Sequence, residues 1–125
     1  MAHMHILIVD DDAGVRRILG EMLKRAGYRV SEAQDGAEAL HHIAHQTFDL
    51  VTMDLVMGRM DGVDAISVLM NETTAPILVI SAHLTEQNRQ ELADRGVTHW
   101  LDKPFTQAGL LSMVSAIVPS SDPKQ

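Results

Sequence analysis

Short apolar runs alternate along this chain with segments whose apolar residues recur every three or four positions. The runs at 5–9, 49–54, 77–80 and 97–101, and a half-polar segment at 28–33, have the length and composition of strands. A segment of helical period follows each of them except 77–80, which is followed by a markedly polar helix at 85–95. Because β-α-β crossovers are right-handed, five strands alternating with five helices predict a parallel sheet with helices on both faces. We therefore expect an α/β, doubly wound fold.

The predicted helices carry their own start and stop signals. Asp12 is placed to cap the first helix, and Gly27 is placed to end it. Asp35 and Glu38 have the spacing of a capping box before the second helix, and Thr106 precedes the last one. These signals agree with the strand and helix assignment.

The length, composition and net charge of the chain exclude several classes of function. The 125 residues suit one domain, which we place at 5–118; residues 1–4 are interpreted as a cloning remnant and 119–125 as a polar tail or the start of a linker. The absence of cysteine excludes thiolate chemistry. No apolar run reaches the roughly 18 residues that span a bilayer. A net charge of −7 without a basic block argues against nucleic-acid binding. We expect a soluble, cytoplasmic protein.

Polar and charged residues follow the predicted strands at the edge where parallel strands end together. Asp10 and Asp11 follow the first strand, Asp54 the third, Ser81 the fourth and Lys103 the fifth. Carboxylates about 4 Å apart repel by roughly 4 kcal/mol at an effective dielectric near 20. We therefore expect a cation there, and Mg²⁺ suits one or two carboxylates, a carbonyl and water.

This set of groups suits phosphoryl transfer to Asp54. A carboxylate can act as nucleophile toward phosphorus, and the metal and Lys103 would neutralise the phosphoryl oxygens. Phosphorylation adds a charge of about −1.5 to −2 and three strong acceptors. Ser81 would then turn its hydroxyl toward the new oxygens, which links the chemistry to a conformational change.

The chain resembles, over nearly its whole length, the receiver domain of two-component response regulators, which has the CheY-like, flavodoxin-like (βα)5 fold with strand order 2-1-3-4-5. The resemblance is carried by five motifs at or just beyond the strand ends: Val9-Asp10-Asp11, Asp54, Asp61-Gly62, Ser81-Ala82 and Lys103-Pro104-Phe105. Together these motifs are specific, whereas each alone is weak.

The resemblance implies a role for each site residue. Asp54 would be the phosphoacceptor, and Mg²⁺ would be held by Asp11, by Asp54 and by the backbone carbonyl of Val56. Asp10 would assist the metal through water. The switch hydroxyl would be Ser81, the phosphate-pairing residue Lys103, and the rotating aromatic side chain Trp100. The Lys103–Pro104 bond is expected to be cis.

Around Asp54 the sequence also departs from the family pattern. Gly58 replaces the usual proline, which predicts a more mobile loop. Val56, Ala82 and His83 would flank the phosphoryl group. Because Val56 offers no hydrogen bond to an attacking water, the lifetime of the phosphorylated state is tunable at this position.

The function implied by the resemblance is a signalling switch that receives its phosphoryl group from a sensor histidine kinase or a histidine phosphotransfer protein. It is not an enzyme, except that it would add and remove the phosphoryl group of its own aspartate. Alternatives are a pseudo-receiver that binds partners without phosphorylation, a haloacid-dehalogenase-like phosphatase and a flavodoxin-like nucleotide binder. The phosphatase needs an acid where Val56 stands, and the nucleotide binder needs phosphate donors where three acids stand.

The last helix is apolar beyond one stripe. No charged residue occurs between 104 and 121, and Leu111, Met113 and Val118 fall outside the predicted inward face. A helix of this kind is covered by something or forms a mildly apolar surface. A homodimer mate or an output partner is expected to dock through residues 85–118.

Overall fold

The computed structural model describes residues 4–57, 60–82 and 84–118. Strands and helices alternate along them much as the apolar pattern predicts. The strands are β1 (His5–Val9), β2 (Arg29–Ala33), β3 (Leu50–Met53), β4 (Val56–Met57), β5 (Met60–Asp61), β6 (Ile77–Ser81) and β7 (His99–Asp102). The helices are α1 (Ala13–Arg25), α2 (Gly36–His45), α3 (Gly62–Glu72), α4 (Glu86–Asp94) and α5 (Gln107–Ile117).

The main sheet has five parallel strands in the order β2-β1-β3-β6-β7. Since β6 and β7 are its fourth and fifth strands along the chain, the predicted order 2-1-3-4-5 is confirmed. The antiparallel pair of β4 and β5, whose second strand includes Asp61, was not predicted. Two-residue strands are too short to show a hydrophobic period, which explains the omission.

Alternate residues of the strands point into two core clusters, one on each face of the sheet. Leu7 and Val51 pack on the side of α2, α3 and α4, whereas Ile8 and Leu50 pack on the side of α1 and α5. The central strands β1, β3 and β6 are buried along their whole length. This burial explains their continuously apolar sequences and fixes the register in which their carboxyl ends meet.

Predicted helix ends are confirmed where the sequence carried a cap. The Asp12 carboxylate accepts from the amides of Gly14 and Val15, at 2.8 and 3.2 Å. Gly27 follows α1 with φ of 99°. Likewise Asp35 accepts from the Glu38 amide at 2.8 Å, and Thr106 accepts from the Gly109 amide at 2.9 Å.

The last helix is less exposed than its sequence indicates. Val118 is buried, and Leu111 and Met113 are half-buried against the core on the side of α1 and α5. Because α5 packs on both α1 and β7, its contact face is wider than one stripe. The inference that these three side chains fall outside the inward face is therefore wrong.

Some predictions fall on residues outside the described part of the chain. These are the assignments of 1–3 as a cloning remnant and 119–125 as a tail, the loop mobility attributed to Gly58, and the role of His83. Within the described residues, no helix is long and apolar enough to cross a membrane.

Candidate functional site

The carboxyl ends of β1 and β3 place two aspartates side by side. The Asp10 amide continues the hydrogen bonding of β1 to β2 by donating to the Ala33 carbonyl at 3.1 Å. In the same way, the Asp54 amide donates to the Val9 carbonyl at 3.2 Å. The backbone of both residues is thus held by the rigid centre of the sheet.

Lys103 joins these two aspartates. Its Nζ donates to Asp54 Oδ2 at 2.8 Å and to Asp10 Oδ2 at 2.9 Å. All three side chains are largely withdrawn from water, with exposed fractions of 18% for Lys103, 10% for Asp54 and 3% for Asp10. Two carboxylates and one ammonium leave this cluster with a net negative charge when all are ionised, so it favours an additional cation.

The surroundings shift the protonation of two members of this cluster. Burial raises the pKa of the Asp10 carboxyl above its ordinary value, although the Asp12 amide and Lys103 oppose the rise. Burial alone would lower the pKa of Lys103, but hydrogen bonds to Asp54 and Asp10 reverse this and raise it. Lys103 therefore keeps its charge at neutral pH and stays an anion-binding group.

Asp10 is tethered at more points than the sequence suggested. Its Oδ1 accepts from the Asp12 amide at 2.9 Å, and its carbonyl oxygen accepts from Arg16 Nη1 at 2.6 Å. Arg16 Nε also donates to Glu32 Oε1 at 3.3 Å. The sequence does not reveal this contact of Arg16, because it depends on the side-chain conformation that Arg16 adopts in the first turn of α1.

The ends of β6 and β7 complete the site through their backbones. Ser81 is fully buried at the end of β6, and its carbonyl accepts from the Lys103 amide at 3.0 Å. The Lys103–Pro104 bond is cis, as expected. Trp100 in β7 is half-buried against the core on the side of α2, α3 and α4, and Ala82 is exposed.

Two of the expected metal ligands have a different setting from Asp54. Asp11 is exposed in the loop between β1 and α1, next to buried Asp10. Val56, described through its backbone, lies in β4, two residues after Asp54. The metal-ligand roles of Asp11 and of the Val56 carbonyl therefore stay predictions.

The donor set fits Mg²⁺. Among the residues that the structure describes, no group of three or more His, Asp or Glu side chains is arranged to hold a metal ion. Mg²⁺ needs fewer protein ligands, since it prefers one or two carboxylates and fills its shell with carbonyl oxygens and water. Asp54 and Asp10, already gathered on Lys103, supply two such carboxylates.

An apolar groove of about 410 Å³ adjoins the site between α1 and the loop after β7. Lys103 forms part of its wall, and Ile18 is a large apolar side chain on its α1 side with 54% of its surface exposed. The complete lining consists of Val15, Ile18, Met22, Ala82, Lys103, Pro104 and Phe105.

Comparison with known proteins identifies the family. The model of the response regulator receiver domain matches residues 6–115. The chain belongs to this family. The cluster of Asp10, Asp54 and Lys103 is therefore part of a receiver domain of two-component response regulators.

Curated relatives agree with this assignment. The response regulator MprA of Mycobacterium sp. (strain KMS) is 37% identical over 123 residues, which are 98% of this chain and 54% of MprA. The transcriptional regulatory protein PdtaR of Mycobacterium tuberculosis is 38% identical over 114 residues, 90% of this chain and 56% of PdtaR. The chain therefore spans about half the length of these relatives.

Solved structures have the same fold. Chemotaxis protein CheY4 of Vibrio cholerae superimposes with a TM-score of 0.87 at 31% identity, covering 94% of this chain and 100% of CheY4. A response regulator from Burkholderia pseudomallei, described with a phosphorylated aspartic acid, a calcium ion and citrate, gives 0.83 at 26% identity, covering 93% of this chain and 67% of its own.

Proposed function

We propose that this receiver domain is a phosphorylation-controlled switch. Asp54 accepts a phosphoryl group from a histidine kinase or a histidine phosphotransfer protein, with Mg²⁺ bound, and the domain then changes conformation to control an output partner. The observation that supports this most directly is the Lys103 ammonium, which contacts both Asp54 and Asp10 within 2.9 Å. The Burkholderia pseudomallei relative, described with a phosphorylated aspartate, supports the same chemistry.

The transfer is a displacement at phosphorus. A carboxylate oxygen of Asp54 forms the new P–O bond while the P–N bond of the donor phosphohistidine breaks, and the imidazole leaves and takes up a proton. Lys103, already at hydrogen-bonding distance from Asp54, moves its contact onto a phosphoryl oxygen. Bound Mg²⁺ would supply positive charge to the same oxygens. Asp11, Asp54 and the Val56 carbonyl would hold it, with Asp10 assisting through water.

A signal would leave the site along β6 and β7. Because the Lys103 amide donates to the Ser81 carbonyl, movement of either residue affects the other. Ser81 would present its hydroxyl to the phosphoryl group, while Trp100, half-buried in β7, would change its packing. Val56, Ala82 and His83 would flank the phosphoryl group and set its lifetime.

Two alternatives are less well supported. A haloacid-dehalogenase-like phosphatase needs an acid two residues after the nucleophile, and that position is Val56. A pseudo-receiver has no use for a lysine buried between two carboxylates, an arrangement that is costly to build without a compensating role. The domain would therefore act on its own aspartate, not on a separate substrate.

Intact mass spectrometry after incubation with acetyl phosphate and Mg²⁺ tests the proposal. We expect one phosphoryl adduct on the wild-type protein and none on Asp54→Ala. Asp94→Ala, which removes an exposed carboxylate of α4, is the matched control and should keep the adduct. An adduct that persists in Asp54→Ala, or fails to form on the wild-type protein, would reject Asp54 as the acceptor.

The partners are proposed from two surfaces. The donor would dock over the apolar groove of which Lys103 forms part of the wall. A homodimer mate or output partner would use residues 85–118, which include α4, β7 and α5. Size measurement with and without beryllofluoride tests the dimer; a monomer in both states would leave the output partner as the occupant of that surface.

A further inference from the structure

The backbone carbonyl of Asp10 has a partner that the phosphorylation chemistry does not require. Arg16 Nη1 donates to this oxygen at 2.6 Å, and Arg16 Nε donates to Glu32 Oε1 at 3.3 Å. We propose that Arg16 is a positioning residue that fixes the Asp10–Asp11 peptide and thereby aims the Asp11 carboxylate at the metal. This inference rests on the proposed function only for the role of the metal.

Planarity of the peptide bond carries the effect from one residue to the next. The carbonyl oxygen of Asp10 and the amide nitrogen of Asp11 belong to one rigid plane. A guanidinium that holds the oxygen therefore fixes the direction in which the chain continues into Asp11. Asp11 is exposed, and this contact adds to the hydrogen bond from the Asp12 amide to Asp10 Oδ1 in limiting the orientations of its backbone.

Arg16 is itself held in place. Its side chain is only 16% exposed, and Glu32 is next to Ala33, whose carbonyl accepts the Asp10 amide at 3.1 Å. The end of β2 thus fixes Asp10 directly through Ala33 and indirectly through Glu32 and Arg16. A planar guanidinium presents the two donors, Nη1 and Nε, at a fixed separation in one rigid group, whereas the donors of an ammonium all lie on a single nitrogen.

The effect of the charge of Arg16 can be tested separately from the effect of its contacts, because a second arginine, Arg17, is next to it in the sequence. Arg17 is exposed at the next position of the same helix, so Arg17→Ala removes one positive charge without removing the contacts of Arg16. Arg16→Lys keeps the charge but loses the two-point contact. A positioning role predicts that Arg16→Lys is impaired and Arg17→Ala is not, whereas a purely electrostatic role predicts the reverse.

The first measurement uses metal-free protein and NMR hydrogen exchange. The Asp12 amide is protected by its bond to Asp10 Oδ1, so loosening Asp10 should raise its exchange rate about tenfold in Arg16→Ala and Arg16→Lys. Resonances of Asp11 should shift in the same variants. Glu32→Gln should give a smaller change in the same direction, and Arg17→Ala should match the wild-type protein.

The second measurement is the Mg²⁺ dissociation constant from calorimetry. We expect it to rise roughly tenfold in Arg16→Ala, less in Arg16→Lys, and under about twofold in Arg17→Ala, as for residues that orient metal ligands. Exchange and affinity unchanged in Arg16→Lys, or equal losses of affinity in Arg16→Ala and Arg17→Ala, would overturn the inference. A wild-type protein that binds no Mg²⁺ would instead reject the metal in the proposed function, while the exchange data still decide the role of Arg16.

Discussion

Lys103 compensates two carboxylates that the fold removes from water. Asp10 and Asp54 have almost no contact with solvent, and Lys103 Nζ lies within 2.9 Å of both. A buried charge without a partner costs several kcal/mol, so the lysine stabilises the fold besides its proposed part in phosphoryl transfer. We therefore expect stability and the proposed function to be coupled at this residue.

Replacing Lys103 tests that coupling. In metal-free protein at neutral pH we expect Lys103→Met to lower the free energy of unfolding by about 2 kcal/mol or more, measured by urea titration. Mg²⁺ should recover part of the loss because it restores positive charge. Lys24→Met, at an exposed position in the last turn of α1, is the control and should cost under about 1 kcal/mol. Equal losses in the two variants would contradict the expectation.

His5 gives the fold a dependence on pH at the opposite end of β1. Burial lowers the pKa of this histidine below 6.5, and the positive charge of Arg29 adds to the effect while Asp49 opposes it. Its Nε2 lies 2.8 Å from Ser31 Oγ, and its ring lies 4.5 Å from that of Phe48. The folded state thus prefers neutral His5.

The direction of the His5 pKa shift predicts the pH range in which the folded state loses stability. A lowered histidine pKa contributes stability that is present above about pH 6.5 and disappears as the pH falls through the folded-state value. Urea midpoints should therefore decrease between about pH 7.5 and 5.5, and His5→Gln should flatten this decrease. Asp10, with its raised pKa, acts in the opposite sense because its protonation favours the folded state. An identical slope in His5→Gln would contradict the assignment to His5.

At the scale of the element, a glycine inside α1 and a glycine in the turn after it differ in the backbone conformation that they adopt. Gly27 ends α1 with φ of 99°, a conformation that side chains disfavour. Gly20 lies within α1, where an added Cβ would meet Val30 Cγ1 at 3.8 Å and Ile8 Cδ1 at 4.0 Å. These are ordinary packing distances, so the helix interior has room for alanine.

The same substitution should therefore change stability in opposite directions. We expect Gly27→Ala to lower the free energy of unfolding by about 1 kcal/mol, through strain at the end of α1. Gly20→Ala should raise it by roughly 0.5–1 kcal/mol, because alanine favours the helical state. Thermal unfolding of both variants checks the pair, and a change of the same sign in each would show that backbone conformation is not what distinguishes them.

Helix ends and strands differ in how well the sequence predicted them. The helix ends at Asp12, Asp35 and Thr106 were predictable because a cap acts on amides two or three residues away. The central strands β1, β3 and β6 were predictable because burial on both faces leaves a mainly apolar run. Neither signal exists for β4 and β5, which are too short, or for the burial of Val118, which depends on the packing of α5 against α1 and β7.

At the scale of the whole molecule, metal binding and folding are expected to be linked. A ligand that binds only the folded state adds about 2.7 kcal/mol at 100 times its dissociation constant. Mg²⁺ should therefore raise the melting temperature of the wild-type domain and of Asp94→Ala, and should do so far less for Asp54→Ala. Calorimetric melting curves with and without Mg²⁺ measure this; an equal rise in all three proteins would place the metal elsewhere.

The sequence alone predicted the fold class and which residues gather at the carboxyl edge of the sheet. Strand ends of a parallel sheet meet at one edge, so the positions of Asp10, Asp54, Ser81 and Lys103 after successive apolar runs were enough to group them. That inference needs only local periodicity and the handedness of the crossovers. The parallel pairing agrees with it. The strand order and the cis bond before Pro104, which the resemblance to receiver domains implied, are also found.

Only the tertiary structure decided which atoms touch. Lys103 is 49 residues from Asp54 and 93 from Asp10, and the structure shows that it binds both while Asp11 faces solvent. It also brings Arg16 to the Asp10 carbonyl. These contacts depend on side-chain conformations and on distances of a few tenths of an ångström, which are set by the packing of several elements at once and leave no periodic trace in the sequence.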